Sequence, residues 1–125
     1  TTTPEQGLED TSSSDGVEAY DSFESMGLPE QLLRGIYSYG FEAPSVIQQK
    51  AIVPGAQGRD VVMHAQSGTG KSGAFAVALL SRIDCSLKQT QALILSPTRD
   101  LADQTQRVVT AIGVCPTSIG GRSTR

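Results

Sequence analysis

The stretch Ala65-Gln66-Ser67-Gly68-Thr69-Gly70-Lys71-Ser72 constrains the fold of this chain more than any other. An apolar run, Val61-Val62-Met63, precedes it and reads as a short buried strand. Gly73-Ala74-Phe75-Ala76-Val77-Ala78-Leu79-Leu80 follows and reads as a helix. A glycine-rich turn between strand and helix, ending in Gly-Lys-Ser, is the setting of a phosphate-binding loop. The first N–H groups of a helix have no intrahelical acceptor, and the helix dipole puts partial positive charge there. Glycines let the backbone curl around an anion because no Cβ blocks the unusual dihedrals. Lys71 adds a mobile positive charge for outer phosphates, and Ser72 offers a hydroxyl to Mg²⁺. The plainer alternative is a Gly/Ser-rich turn that only joins two elements, and the Gly-Lys-Ser ending argues against it. Ala65 stands where the general loop begins with Gly.

The segments around this loop predict alternating helices and strands. Residues 1–22 are rich in Thr, Ser, Gly and acids and poor in apolar residues, so they are expected to form a disordered acidic tail. Order is expected from Phe23. A first helix fits Pro29 to Tyr39, with Leu32, Leu33 and Ile36 on one face and Gly40 as its stop. A second fits Ser45 to Val53, closed by Pro54. The helix after the loop is expected to run to about Asp84. Gln91-Ala92-Leu93-Ile94-Leu95-Ser96 reads as a strand covered on both faces. A fourth helix fits Asp100 to Ile112, and Thr117-Ser118-Ile119 would begin a third strand. This alternation implies an α/β fold with a parallel sheet and right-handed crossovers.

The formal net charge of −3 conceals an asymmetry. Glu5, Glu9, Asp10, Asp15, Glu18 and Asp21 crowd the first 22 residues, which hold no Lys or Arg. The remainder is net positive, so an acidic whole does not argue against an anionic ligand. Cys85 and Cys115 lack metal-ligand spacing and read as reduced thiols of a cytosolic or nuclear protein. No run is long or apolar enough to cross a bilayer. The start lacks the basic and apolar regions of a signal peptide. It also lacks an initiator Met, which fits a fragment or a processed chain. His64 reads as a locally packed strand residue.

Three further stretches narrow the reading. Gly40-Phe41-Glu42-Ala43-Pro44-Ser45-Val46-Ile47-Gln48 resembles the Q motif of DEAD-box RNA helicases, Gly-Phe-x-x-Pro-x-x-Ile-Gln. The phosphate loop resembles the same family's motif I, in which Ala at the first position is usual. Pro97-Thr98-Arg99-Asp100-Leu101 resembles motif Ia, with Asp100 where Glu is common, and Gly120-Gly121 resembles the paired-glycine motif. All four follow family order over about Phe23 to Arg122. The interval from Leu101 to Gly120 is a few residues shorter than the family pattern. Leu32-Leu33-Arg34-Gly35-Ile36-Tyr37, Ile47-Gln48-Gln49-Lys50-Ala51-Ile52 and Gln91-Ala92-Leu93-Ile94-Leu95 resemble the translation-initiation branch.

The resemblance implies the first part of a RecA-like P-loop domain, spanning residues 23–125. It implies that Gln48 hydrogen-bonds the adenine edge of ATP and that Phe41 stacks on the ring, with Phe23 as the upstream aromatic of the pattern. Ala65 to Ser72 would hold the phosphates, with Ser72 on Mg²⁺. Pro97, Thr98, Arg99, Gly120 and Gly121 would meet the RNA backbone, which gives affinity without sequence choice. Each has a plainer role open to it. Ser45-x-x-Gln48 is also a capping box, Phe41 suits a core, and Thr98 suits an N-cap. The family's Asp-Glu-Ala-Asp string is absent, as are its Ser-Ala-Thr motif and second domain. The groups that position a phosphoryl transfer are therefore not all here. The resemblance thus implies the ATP- and RNA-binding portion of an RNA helicase of translation initiation, whose parent meets initiation scaffold proteins. The alternative is a non-catalytic fragment that binds nucleotide, RNA or a partner.

Overall fold

A computed structural model describes residues 16–113, and their regular elements are all helical. A 3₁₀ turn, Glu24–Met26, leads to α1 (Glu30–Tyr39), α2 (Val46–Ala56), α3 (Lys71–Leu80) and α4 (Arg99–Ile112). Pro29 caps α1 at its start. Gly40 ends it with a left-handed φ of 110° and donates its N–H to the Ile36 and Tyr37 carbonyls. α2 continues through Pro54 to Ala56, three residues past the expected end. A proline near the end of a helix forfeits one hydrogen bond, and here the last turn survives it. α3 stops at Leu80 instead of Asp84, because the Arg82 and Ile83 N–H groups tighten to i−3 carbonyls at 3.1 and 3.2 Å.

Phe23, Ile36, Ile52, Val77 and Ile112 are fully buried, so the core joins the residues before α1 to all four helices. Order extends slightly upstream of the expected boundary: Tyr20 packs on this core and donates its N–H to the Gln49 carbonyl at 3.1 Å. Residues 1–15 lie outside the described part. Gly35 lets α1 cross α4 closely, since a Cβ there would stand 1.9 Å from the Ile112 carbonyl oxygen.

The expected parallel sheet does not form among the described residues. Residues 59–66 and 90–96 run without helix or ladder, and no backbone hydrogen bond joins them. The reason is physical. A strand is held by a neighbour's backbone groups, and apolar patterning reveals a segment suited to a sheet without revealing what lies beside it. The expected third strand, Thr117 to Ile119, lies outside the described residues. Cys85, exposed after α3, is disulfide-bonded, against the expectation of a reduced thiol. Its sequence spacing carried no information about which thiol it would meet. Cys115 lies outside the described residues.

Candidate nucleotide-binding site

The loop from Ala65 to Ser72 turns at Ser67-Gly68 and feeds straight into α3. Gly68 (φ 79°) and Gly70 (φ 92°) take the left-handed conformations that an anion cradle needs. Gly70 is the N-cap of α3, so the helix's unpaired N–H groups begin at Lys71. The Thr69 hydroxyl donates to the Gln66 carbonyl at 2.6 Å, which braces the turn. The Lys71 ammonium donates to the Ala65 carbonyl, folding its charge back across the loop. Lys71 and Ser72 are half-buried at the helix start. Left-handed glycines, a helix N-terminus and an inward cation fit a polyphosphate.

Gln48 connects this loop to α2. It is only 2% exposed, and both ends of its amide are engaged. Its Oε1 accepts from the Ser45 N–H at 2.9 Å, and its own N–H donates to the Ser45 hydroxyl at 3.4 Å. The capping box is therefore present. Its Nε2 also donates to the Gly70 carbonyl at 3.2 Å, across 22 residues of sequence. The start of α2 and the start of α3 are thus pinned by one side chain. Gly70 has to be glycine for a second reason: a Cβ would lie 2.7 Å from that Nε2 and 2.9 Å from the Ser45 hydroxyl.

Phe41 closes the same corner. It is half-buried, with its ring close enough to α3 that a Cβ on Gly73 would meet its edge at 2.9 Å. It stacks on buried Phe23 with centroids 6.3 Å apart, and Tyr39 lies at 4.9 Å. Phe23 meets Tyr37 edge-on at 6.2 Å. The Tyr37 hydroxyl donates to the Glu24 carboxylate, which holds that carboxyl below its ordinary range and raises the Tyr37 phenol. Phe41, Gln48 and the loop therefore meet at one place, although the sequence separates them. The Gln48–Gly70 bond was not visible in sequence, because no spacing rule links positions on different elements.

Pro97, Thr98 and Arg99 sit at the start of α4, exposed, and α4 packs beside α3. Thr98 is the N-cap, its hydroxyl accepting from the Leu101 N–H at 3.3 Å. Gly120 and Gly121 lie outside the described residues. His64 is exposed. No group of three or more His, Cys, Asp or Glu able to hold a metal occurs among the described residues. None of their helices is long and apolar enough to cross a membrane.

The sequence matches the DEAD/DEAH box helicase family over residues 45–124. It is 62% identical over 96 residues to eukaryotic initiation factor 4A of Drosophila melanogaster, covering 77% of this chain and 24% of that protein. It is 53% identical over 130 residues to the ATP-dependent RNA helicase eIF4A of Neurospora crassa, covering 97% and 33%. Similar solved structures include Dbp5 of S. cerevisiae bound to RNA and ADP BeF3, with TM-score 0.71, 40% identity and coverage of 75% and 25%. A DEAD box protein from Methanococcus jannaschii gives TM-score 0.71 at 31% identity, covering 76% and 26%. The chain thus spans about a quarter to a third of the length of these relatives. With the loop, the buried glutamine and the match over most of its length in agreement, the chain belongs to the DEAD/DEAH box helicase family.

Proposed function

We propose that this chain is the ATP-binding portion of an ATP-dependent RNA helicase of translation initiation. The observation that carries the reading is the Gln48 amide seated on Gly70, at the mouth of the phosphate loop. In this reading the triphosphate lies over the N–H groups from Gly68 to Ser72, and Lys71 leaves the Ala65 carbonyl to neutralise the outer phosphates. The Ser72 hydroxyl would be a protein ligand for Mg²⁺, whose charge would offset that of the phosphates. Phe41 offers its face to the adenine. An amide has two donor hydrogens and two acceptor lone pairs, and Gln48 spends one of each on Gly70 and Ser45. The remaining donor and acceptor match an adenine edge. Its burial makes it a strut as much as a reader of the base.

Pro97, Thr98 and Arg99, with Gly120 and Gly121, would take RNA phosphates without sequence choice. The parent protein would act in the cytoplasm with initiation scaffold proteins. ATP when bound supplies the driving force for closing on RNA, and hydrolysis needs carboxylates beyond those described. A second reading, binding without turnover, is favoured by the lack of an acidic cluster among the described residues. Titration of ATP and AMP against the wild type and Lys71→Ala tests the site. The variant is expected to lose far more affinity for ATP than for AMP. Equal losses would show that Lys71 acts through folding.

A further inference from the structure

We propose that Cys85 pairs with Cys115 in a reversible disulfide, a redox latch that fastens the excursion from α3 through α4 back onto the end of α3. Cys85 is disulfide-bonded, and the sequence contains one other cysteine, Cys115. Cys115 lies outside the described residues, but the chain leading to it does not. Ile112 is fully buried, and Gly113 closes α4 so near to α3 that a Cβ on it would stand 3.0 Å from the Leu80 side chain. Two further residues of chain reach at most about 7 Å. Cys85 follows Leu80 closely, after a tight turn in which the Ile83 N–H donates to the Leu80 carbonyl at 3.2 Å. The pairing is therefore within reach of both segments. Cys85 also sits in a turn that is held in place. The Gln91 amide accepts from the Asp84 N–H at 2.9 Å and donates to the Asp84 carbonyl at 2.7 Å. The Ser86 hydroxyl donates to the Asp84 carboxylate at 2.6 Å.

What the latch holds has few other fastenings. Ile112 is the one buried residue of α4, and Leu101 near its start is 46% exposed. A cleft of about 300 Å³ opens between Ile94 and Ser96 on one side and Ala102 and Thr105 of α4 on the other. A cross-link restricts the unfolded chain, the more so the longer the loop that it closes. Disulfides in reducing compartments are rare, and those that occur are usually transient and redox-sensing. Cys85 is exposed, so a thiolate can attack the bond. With a dithiol as reductant, one thiolate attacks a sulfur of the pair and forms a mixed disulfide, and the second thiolate then displaces that sulfur. The Cys85–Cys115 bond breaks, both cysteines become thiols with the two protons that the dithiol gives up, and the dithiol leaves as a disulfide. Thr98 and Arg99 lie inside the closed loop. A consequence for RNA rests on the reading proposed above, whereas the latch itself does not.

The test equilibrates the full chain with oxidised glutathione or with dithiothreitol, then reads alkylation by mass and hydrogen exchange by segment. The oxidised chain is expected to take up no alkylating reagent, and its digest should hold the Cys85 peptide joined to the Cys115 peptide of the same copy. Dithiothreitol should speed exchange in α4 by roughly tenfold or more while leaving α1 and α2 unchanged. Cys85→Ser should exchange like the reduced chain in either buffer. Four results would overturn the proposal. One is two alkylated or glutathione-capped cysteines in the oxidised sample, and another is a bond between two copies. The third is exchange in α4 that ignores the redox state, or a change spread equally over all four helices. The fourth is an effect of dithiothreitol that survives in Cys85→Ser.

Discussion

The corner where α2 meets α3 and the side where residues 91–96 lie against α3 and α4 differ in kind. In the first, every partner is present. Ser45 and Gln48 satisfy each other, Gln48 reaches Gly70, and Phe41 lies on Phe23. In the second, Leu93 and Leu95 stand in solvent and their backbone groups have no ladder, as does Val62 in the segment before the glycine-rich loop. Local contacts plus one long-range bond complete the corner, whereas a sheet needs segments brought from elsewhere. Mutations should therefore be costly on one side and nearly silent on the other.

The largest effect is expected at Gly35. Alanine favours a helix over glycine by about 0.5–1 kcal/mol. Even so, Gly35→Ala should destabilise by about 1–3 kcal/mol, because its Cβ would collide with the Ile112 carbonyl. A denaturation midpoint that rises would break the packing account. Ser45→Ala should cost about 1 kcal/mol by removing the cap. Chemical denaturation would show it, and an unchanged midpoint would mean that the corner does not rest on that cap. Val62→Lys, on the open side, should change stability of the isolated chain by less than about 0.5 kcal/mol. A large loss would mean that this side is already covered.

The smallest effect is a titration. The Tyr37 hydroxyl lowers the Glu24 carboxyl, so this pair adds stability above the ordinary carboxylate range and loses it as pH falls through the lowered value. Tyr37→Phe should bring the carboxyl back up. Carbon-detected NMR titration of Glu24 would show it, and an unmoved midpoint would remove the hydrogen bond as the cause.

The same contrast explains what could be read from the chain beforehand. Helix positions were legible because their signals are local: Pro29, Ser45 and Thr98 stand at the starts and Gly40 at an end, whereas α3 begins at Lys71, two residues before the Gly73 expected from sequence. The glycine-rich turn ahead of α3 was legible for the same reason. The capping role of Gln48 could be read from Ser45-x-x-Gln48, but its bond to Gly70 could not, since that bond depends on how two helices pack. The sheet was read from Val61-Val62-Met63 and Leu93-Ile94-Leu95, whose composition suits strands. Composition does not supply a partner, so those runs remain extended and unpaired among the described residues. The ends of α2 and α3 shifted by a few residues because Pro54 and the turn after Leu80 were decided by the surrounding contacts.

In the proposed function the closed corner takes adenine nucleotides, and Gln48 would tie base recognition to the phosphate loop. Calorimetric titration of ATP and GTP, against the folded wild type and a folded Gln48→Ala variant, tests it most directly. The wild type is expected to bind ATP at least about tenfold more tightly than GTP, a difference of about 1.4 kcal/mol. Gln48→Ala should erase that preference and weaken both nucleotides, since the Gly70 carbonyl loses its donor. Equal binding of ATP and GTP by the folded wild type, or an undiminished preference in the variant, would contradict it.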